Sequence, residues 1–279
     1  MKTSKTFTTQ YFDLDWNRHV TSRTYERFAY SSRIDILNEI GYPIHKILEQ
    51  GFKWISKASK VRFLSQQFAG AHLTVITETY RDKLGNLHFI QKIQDENSKP
   101  VCNLQNISIL VDAEGKVIHL LDIPEHQEES HPVHIHLNDR QMEWNCLQHK
   151  IYIPFSDMTC FWNLSTEAIW KIFEEGRFLF FKEVVDLNFI HQTDTTTFFM
   201  GGEIEILTLP EPGSNVQLLS WIDVVDKIRF YFRQDVLDNS GNLLARMVDE
   251  QVFVALSTSR PRRAPVEFLE RTSRFTRPQ

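Results

Sequence analysis

The sequence predicts an α+β chain of two similar halves, each a long helix set against several antiparallel strands. Three observations predict it. Landmarks in the first half recur 144 residues later: Asp13 and Asp157, Ser22 and Thr166, Tyr25 and Ile169, Arg33 and Arg177. A constant offset across different residue types points to internal duplication. Each half holds one long helical pattern, and strand-like segments separated by turn signals follow each helix. An apolar helix followed by a meander is best buried by wrapping the sheet around the helix.

The elements follow in order. Thr6–Tyr11 and Lys150–Phe155 alternate as strands do, and each is followed by an Asp and a polar turn. The first helix is predicted from Thr21-Ser22 to Ile40. Tyr25, Phe28, Ile36 and Ile40 fall near helical spacing, and Gly41 followed by Pro43 marks the stop. Strands are then predicted over Phe52–Leu64, Ala71–Arg81, Leu87–Asp95 and Val101–Val111. The second helix starts near Ser165-Thr166 and runs to about 185, with Ile169, Ile172, Phe173, Phe180 and Val184 on its apolar side. Its strands are Thr195–Leu209, Val216–Val225, Ile228–Leu237 and Leu243–Leu256. Lys83-Leu84-Gly85-Asn86, Glu211-Pro212-Gly213 and Asn239-Ser240-Gly241-Asn242 supply turns. The expected organisation is a first domain over 1–121, a polar linker over 122–141, a second domain over 142–258 and a basic tail over 259–279.

Composition narrows the classes. The chain has 279 residues, 42% of them apolar and 24% charged, close to the globular average. Aromatics at 12% can fill a sizeable core. The net charge of −5 disfavours a general nucleic-acid binder. Cys102, Cys146 and Cys160 are odd in number and irregularly spaced, which suits a reducing compartment. No run approaches the ~20 apolar residues of a membrane span, and the start of the chain lacks a signal-peptide pattern. The expectation is a soluble, cytoplasmic protein. His126, His131, His134 and His136 cluster in the linker, but a polar loop gives no sign of a metal site.

The strongest feature is the stretch from Tyr11 to Tyr25, YFDLDWNRHVTSRTY. Asp15, Asn17 and His19 alternate just before the first helix, and in an extended segment they would share one face. The bland alternative makes Asp15 and Asn17 helix-entry turn residues and His19 a packing histidine. The 144-residue offset replaces the trio with Thr159, Phe161 and Asn163 in the second half.

The stretch resembles the double hotdog-fold thioesterases, whose motif reads Asp-x-x-Gly-His-Val-Asn-Asn-x-x-Tyr. It is more similar still to the acyl-ACP thioesterases, with Asp-Leu-Asp-x-Asn-x-His-Val-Asn-Asn; the 4-hydroxybenzoyl-CoA thioesterases are also alike. Asp13, Leu14, Asp15, Asn17, His19, Val20 and Tyr25 match by position. Thr21-Ser22 stands where the family has Asn-Asn, and the motif lies in the first half rather than the second. Gln66 and Gln67 fall where a following strand of the family carries an acid and a Cys.

The resemblance implies two tandem hotdog domains and hydrolysis of an acyl-ACP or acyl-CoA thioester to a carboxylic acid and a thiol. It makes Asp15, Asn17 and His19 catalytic. Asp15 and Asn17 would position water, and His19 would assist the oxyanion or the leaving thiol. Val20 and Thr21 would lie beside the thioester, and Phe161 is the candidate wall for the acyl tail. No cofactor or metal is required, and a homodimer is compatible. Two rivals stay open, a hotdog dehydratase or hydratase and a non-catalytic acyl-binding protein. The other aromatics of the second half, Trp162, Trp170, Phe173, Phe178, Phe180 and Phe181, read mainly as core. The tail arginines (Arg260, Arg262, Arg263, Arg271, Arg274, Arg277) read as a solvated tail, with CoA phosphates or an acidic carrier protein as the alternative contact.

Overall fold

The structure is a computed structural model that describes residues 1–15, 17–126 and 145–277. The chain forms two compact units. One comprises Met1–His134 with Pro154–Trp170; the other comprises Ile135–Ile153 with Lys171–Gln279.

The first unit starts with strand β1 (Lys2–Thr8) and a 3-10 turn (Tyr11–Asp13). Helices α1 (Ser22–Glu39) and α2 (Ile44–Glu49) follow. Strands β2 (Lys53–Phe63), β3 (His72–Arg81), β4 (Leu87–Gln94) and β5 (Pro100–Val111) complete the meander. The strand order is β1-β3-β4-β5-β2, antiparallel throughout. Helix α1 forms where expected. Thr21 is its N-cap, its hydroxyl accepting the Thr24 N–H at 3.4 Å. Its other end closes with Tyr42 N–H donating to Leu37 O at 2.8 Å and Gly41 at φ +82°, a left-handed conformation that suits glycine. Tyr25, Phe28, Ala29, Ile36 and Leu37 repeat every three or four residues and are buried. Phe28 stacks on Phe7 of β1 at 4.5 Å, and Gln91 of β4 donates to Ala29 O at 2.9 Å. A core cluster of Ile36, Leu37, Trp54, Phe89 and Leu110 lies beneath, and Phe161 joins it.

The second unit repeats the plan. It has β6 (Leu147–Tyr152), a 3-10 turn (Phe155–Asp157), α3 (Thr166–Phe180) and a π-helical turn (Phe181–Val185) that carries the helical run to its predicted end. The 3-10 turn and the first residues of α3 group with the first unit. Next come α4 (Leu187–Thr193), β7 (Thr195–Ile206), β8 (Asn215–Asp226), β9 (Arg229–Leu237), β10 (Leu243–Ala255) and α5 (Val266–Thr272). The order β7-β10-β9-β8-β6 is that of the first unit read from the other edge. Its core is rich in phenylalanine, with Phe180, Phe230, Phe232, Phe253, Phe268 and Phe275 in one cluster.

Several expectations need correcting. Strand β1 starts at Lys2, not Thr6, and β6 starts at Leu147, not Lys150. The pattern of β1, KTSKTFT, holds a single large apolar residue, as suits a strand paired on one side only. The arginine-rich tail is not a solvated extension. Phe268 and Phe275 are buried, Arg262 donates to Thr193 O and Asp194 O at 2.8 and 2.9 Å, and Arg271 donates to Val185 O. The expected linker lies outside the described residues beyond 126, as do His131, His134 and His136. Its first part packs on the first unit, where Ile123 is buried and Arg81 pairs with Glu125 at 2.5 Å.

Candidate active site

The segment between the 3-10 turn and α1 is a closed turn, not the extended run that its alternation suggests. Asp15 N–H donates to His19 O at 2.8 Å, and Arg18 N–H donates to Asp15 O at 2.9 Å. A Leu14–Val20 bridge seals the neck. Arg18 sits at φ +66°, the left-handed residue that a turn this tight demands. The Asp15 carboxylate accepts the His19 N–H at 3.0 Å, an Asx-type contact. Asp15, Asn17 and His19 are therefore gathered by a turn, not lined up along one face.

The turn is fixed to the start of α1. Thr21 N–H donates to Asp13 O at 3.0 Å and Val20 N–H to Gln67 O at 2.9 Å. Asp15 and Asn17 are exposed, His19 is half-buried, and the His19 ring meets the Phe68 ring edge-on at 5.4 Å. Val20 is buried and Thr21 half-buried at the N-cap. This end of an 18-residue helix carries positive partial charge. The arrangement thus sets a carboxylate, an amide and an imidazole on one solvent-facing turn next to a helix N-terminus. A carboxylate there can orient water, and the positive end of the helix can stabilise an oxyanion.

Gln66 and Gln67 lie in the loop after β2, so they do not occupy a strand position. The loop contributes the Gln67 carbonyl to the turn instead. Among the described residues no cluster of three metal-ligating side chains is present.

Phe161 is buried beside Trp54 and Leu110, the placement of a core residue. Asn163 donates to Trp54 O at 2.7 Å, and Thr166 donates to Ser56 Oγ at 2.8 Å. Trp170, Phe173 and Phe180 are core as expected, whereas Trp162 and Phe178 are exposed. Trp162 sits at the tip of its turn at φ +58°, which points it away from the core.

The sequence marks Asp13 as a duplicated landmark and a motif match without assigning it a role, and it does not single out Glu26. Asp13 is buried and pairs with Arg27. Glu26 and Arg33, seven residues apart on α1, form an ion pair with both side chains buried, and Ser59 donates to Glu26 at 3.5 Å. Burial raises the Glu26 carboxyl above its usual range, with Arg33 opposing the rise. The Tyr25 hydroxyl and the Cys102 thiol are also pushed up by burial. The signal for the pair was present as two charges on the helix face that also carries Tyr25 and Ala29.

No protein-family model matches the chain, and no curated protein is similar to it in sequence. Several solved structures are similar to it in fold. A protein assigned as an oleoyl thioesterase from Lactobacillus plantarum has a TM-score of 0.75 at 9% identity, covering 90% of this chain and 96% of that one. An acyl-ACP thioesterase from Bacteroides thetaiotaomicron gives 0.63 at 13%, covering 90% and 97%. The 12:0-ACP thioesterase from Umbellularia californica gives 0.68 at 8%, covering 90% and 93%. The duplicated helix-and-meander architecture of this chain is accordingly the double hotdog fold that these proteins share.

Proposed function

We propose that the protein is an acyl thioester hydrolase of fatty-acid metabolism that acts in the cytoplasm. The observation that carries this reading is the turn at the start of α1. It gathers Asp15, Asn17 and His19, the residues matching the thioesterase motif, where a helix N-terminus meets solvent. Water held by the Asp15 carboxylate and the Asn17 amide attacks the thioester carbon and gives up a proton to Asp15. The carbonyl oxygen, lying beside Val20 and Thr21, gains negative charge as the tetrahedral intermediate forms. The C–S bond then breaks, and the thiolate leaves with a proton delivered from His19 or solvent. One Asp15 oxygen holds the His19 N–H, and a carboxylate has a second with which to orient water. The products are a carboxylic acid and a pantetheine thiol. Phe161 bounds the acyl tail in this reading, and the substrate carrier is CoA or acyl carrier protein. In this reading the two copies along the chain are 1–121 and 142–258.

The exposed position of Asp15 and Asn17 supports this reading in that it leaves both side chains within reach of a substrate. A panel of acyl-CoA and acyl-ACP substrates of different chain length, assayed for free thiol, tests it. Thiol release with at least one substrate is expected. Binding without release across the panel would favour the acyl-binding alternative.

A further inference from the structure

We propose that Asp13 and Arg27 are positioning residues that set the orientation of the Asp15–His19 turn on α1. Asp13 is the point at which four constraints meet. Its carboxylate accepts the Gln10 N–H at 2.8 Å and pairs with the guanidinium of Arg27, 14 residues further on in α1. Its carbonyl accepts the Thr21 N–H at 3.0 Å and the Thr24 hydroxyl at 3.4 Å. The side chain thus fixes the 3-10 turn, while the main chain of the same residue fixes the helix start. Everything between those anchors is the turn with Asp15, Asn17 and His19.

The pair is asymmetric in a way that suits a clamp. The Asp13 side chain is 1% exposed and the Arg27 side chain 38%. A carboxylate withdrawn from water needs its cation in a fixed place, because leaving it unpaired is costly. Arg27 is held over the Phe28 ring at 5.4 Å, and Phe28 stacks on Phe7, so the cation is fixed to the sheet side of α1. The second copy of the motif keeps an acid and a cation at the same offset, Asp157 and Lys171. A different ion pair on the same helix, Lys5 with Asp35 at 2.6 Å, is similarly exposed on its cation side but lies far along α1 from the turn.

This inference rests on the thioesterase reading for its rate readout, and a second readout is independent of activity. Arg27→Met, Arg27→Lys, Asp13→Asn and Asp35→Asn are compared in the full chain. Arg27→Met and Asp13→Asn should lower kcat on the order of 10- to 100-fold, the scale of a misplaced reacting group. KM should stay near its original value, because substrate binding is not what the pair supplies. The double variant should be no slower than either single, since both remove one link. Arg27→Lys should recover most of the rate, and Asp35→Asn should lose none. Amide hydrogen exchange at Arg18 and His19 should accelerate in Arg27→Met and not in Asp35→Asn. If the unmodified protein releases no thiol, the functional reading fails and exchange alone decides the clamp. Unchanged exchange at Arg18 and His19 in Arg27→Met overturns the proposal, as does an unchanged kcat in an active enzyme.

Discussion

The turn before α1 and its counterpart before α3 close by the same bonds. Asp15 N–H reaches His19 O at 2.8 Å, and Thr159 N–H reaches Asn163 O at 2.7 Å. Arg18 and Trp162 take the left-handed position, at φ +66° and +58°, and Leu14–Val20 and Met158–Leu164 bridges seal the necks. The side chains then go different ways. Around the second turn Phe161 is buried in the core and Asn163 donates to Trp54 O, and the Thr159 hydroxyl donates to Asn163 Oδ1 at 2.8 Å. Around the first, Asp15 and Asn17 face solvent. The backbone shape therefore needs no Asp, Asn and His. Asp15 supports the first turn by accepting the His19 N–H, and the chemistry proposed above would account for the exposed Asn17 and the imidazole beside it.

A second contrast lies in the helix cores. Arg33 and Arg177 occupy equivalent positions, and each meets a buried carboxylate. In the first unit the acid is Glu26 of the same helix. In the second, Trp170 holds the equivalent position, and Asp249 of β10 takes the role with Arg177 Nη1 at 2.9 Å. The Glu26–Arg33 pair is shut in on both sides, whereas the Arg177 side chain is 14% exposed and Asp249 keeps a second donor in Gln251 at 3.0 Å. Breaking the pairs should separate them. Arg33→Met leaves a buried, uncompensated carboxylate and should cost about 3–5 kcal/mol in urea unfolding. Arg177→Met should cost less, because its site is open to solvent on the arginine side, whereas the Glu26–Arg33 site is closed on both. Equal losses would mean that the two pairs are equivalent after all.

The pH dependence sharpens the same contrast. Burial raises the Asp249 carboxyl to about 6, against 3.8 ordinarily, while Arg177 opposes the rise. The folded state then holds a proton that the unfolded state releases. The Asp249 contribution to stability is full below about pH 4 and is lost as pH rises towards 6, by up to about 3 kcal/mol at ~1.4 kcal/mol per pH unit. Glu26 is shifted in the same direction. Asp249→Asn should flatten only its own share of the decline, which urea midpoints at pH 4.5 and 7 would measure.

Smaller again is the difference at the sheet-facing positions Ser32 and Gly176. A Cβ at Gly176 would lie 2.0 Å from Leu218 Cδ2 and 2.3 Å from Gln234 Nε2. Gly176→Ala should cost about 1–3 kcal/mol through overpacking. Ser32→Ala loses one hydroxyl bond to Phe28 O at 3.1 Å and should cost at most about 1 kcal/mol. Thermal unfolding of the two variants would rank them.

Much of this was legible in the sequence. The Thr21 cap, the Gly41-Pro43 stop and the offset of 144 place α1 and α3, because capping and duplication are local signals. Strands β2 to β5 and β7 to β10 follow from alternation and turns. The short helices α2, α4 and α5 were missed, since a helix of one or two turns has little periodicity and depends on packing. The tail looked solvated because its arginines dominate its composition, although Phe268 and Phe275 are what anchor it. The trio was found as residue types but not as a shape. Alternation suggests an extended run, and only the hydrogen bonds of Asp15 show that it bends into a turn. The pairings of Asp13 and Glu26 were not legible, because ion-pair partners cannot be read from one residue's identity.

The most direct test of the account compares Asp15→Asn with Thr159→Ala, equivalent positions in the two copies of one turn. Thiol release from the best substrate of the panel would be followed for both, alongside their unfolding midpoints. Asp15→Asn should lower kcat by about 10²–10⁴-fold, the range of a positioned acid–base group, while the turn and the stability survive. Thr159→Ala should leave kcat unchanged. Full thioesterase activity in Asp15→Asn, or an equal loss in both variants, would contradict the assignment of the chemistry to the first turn.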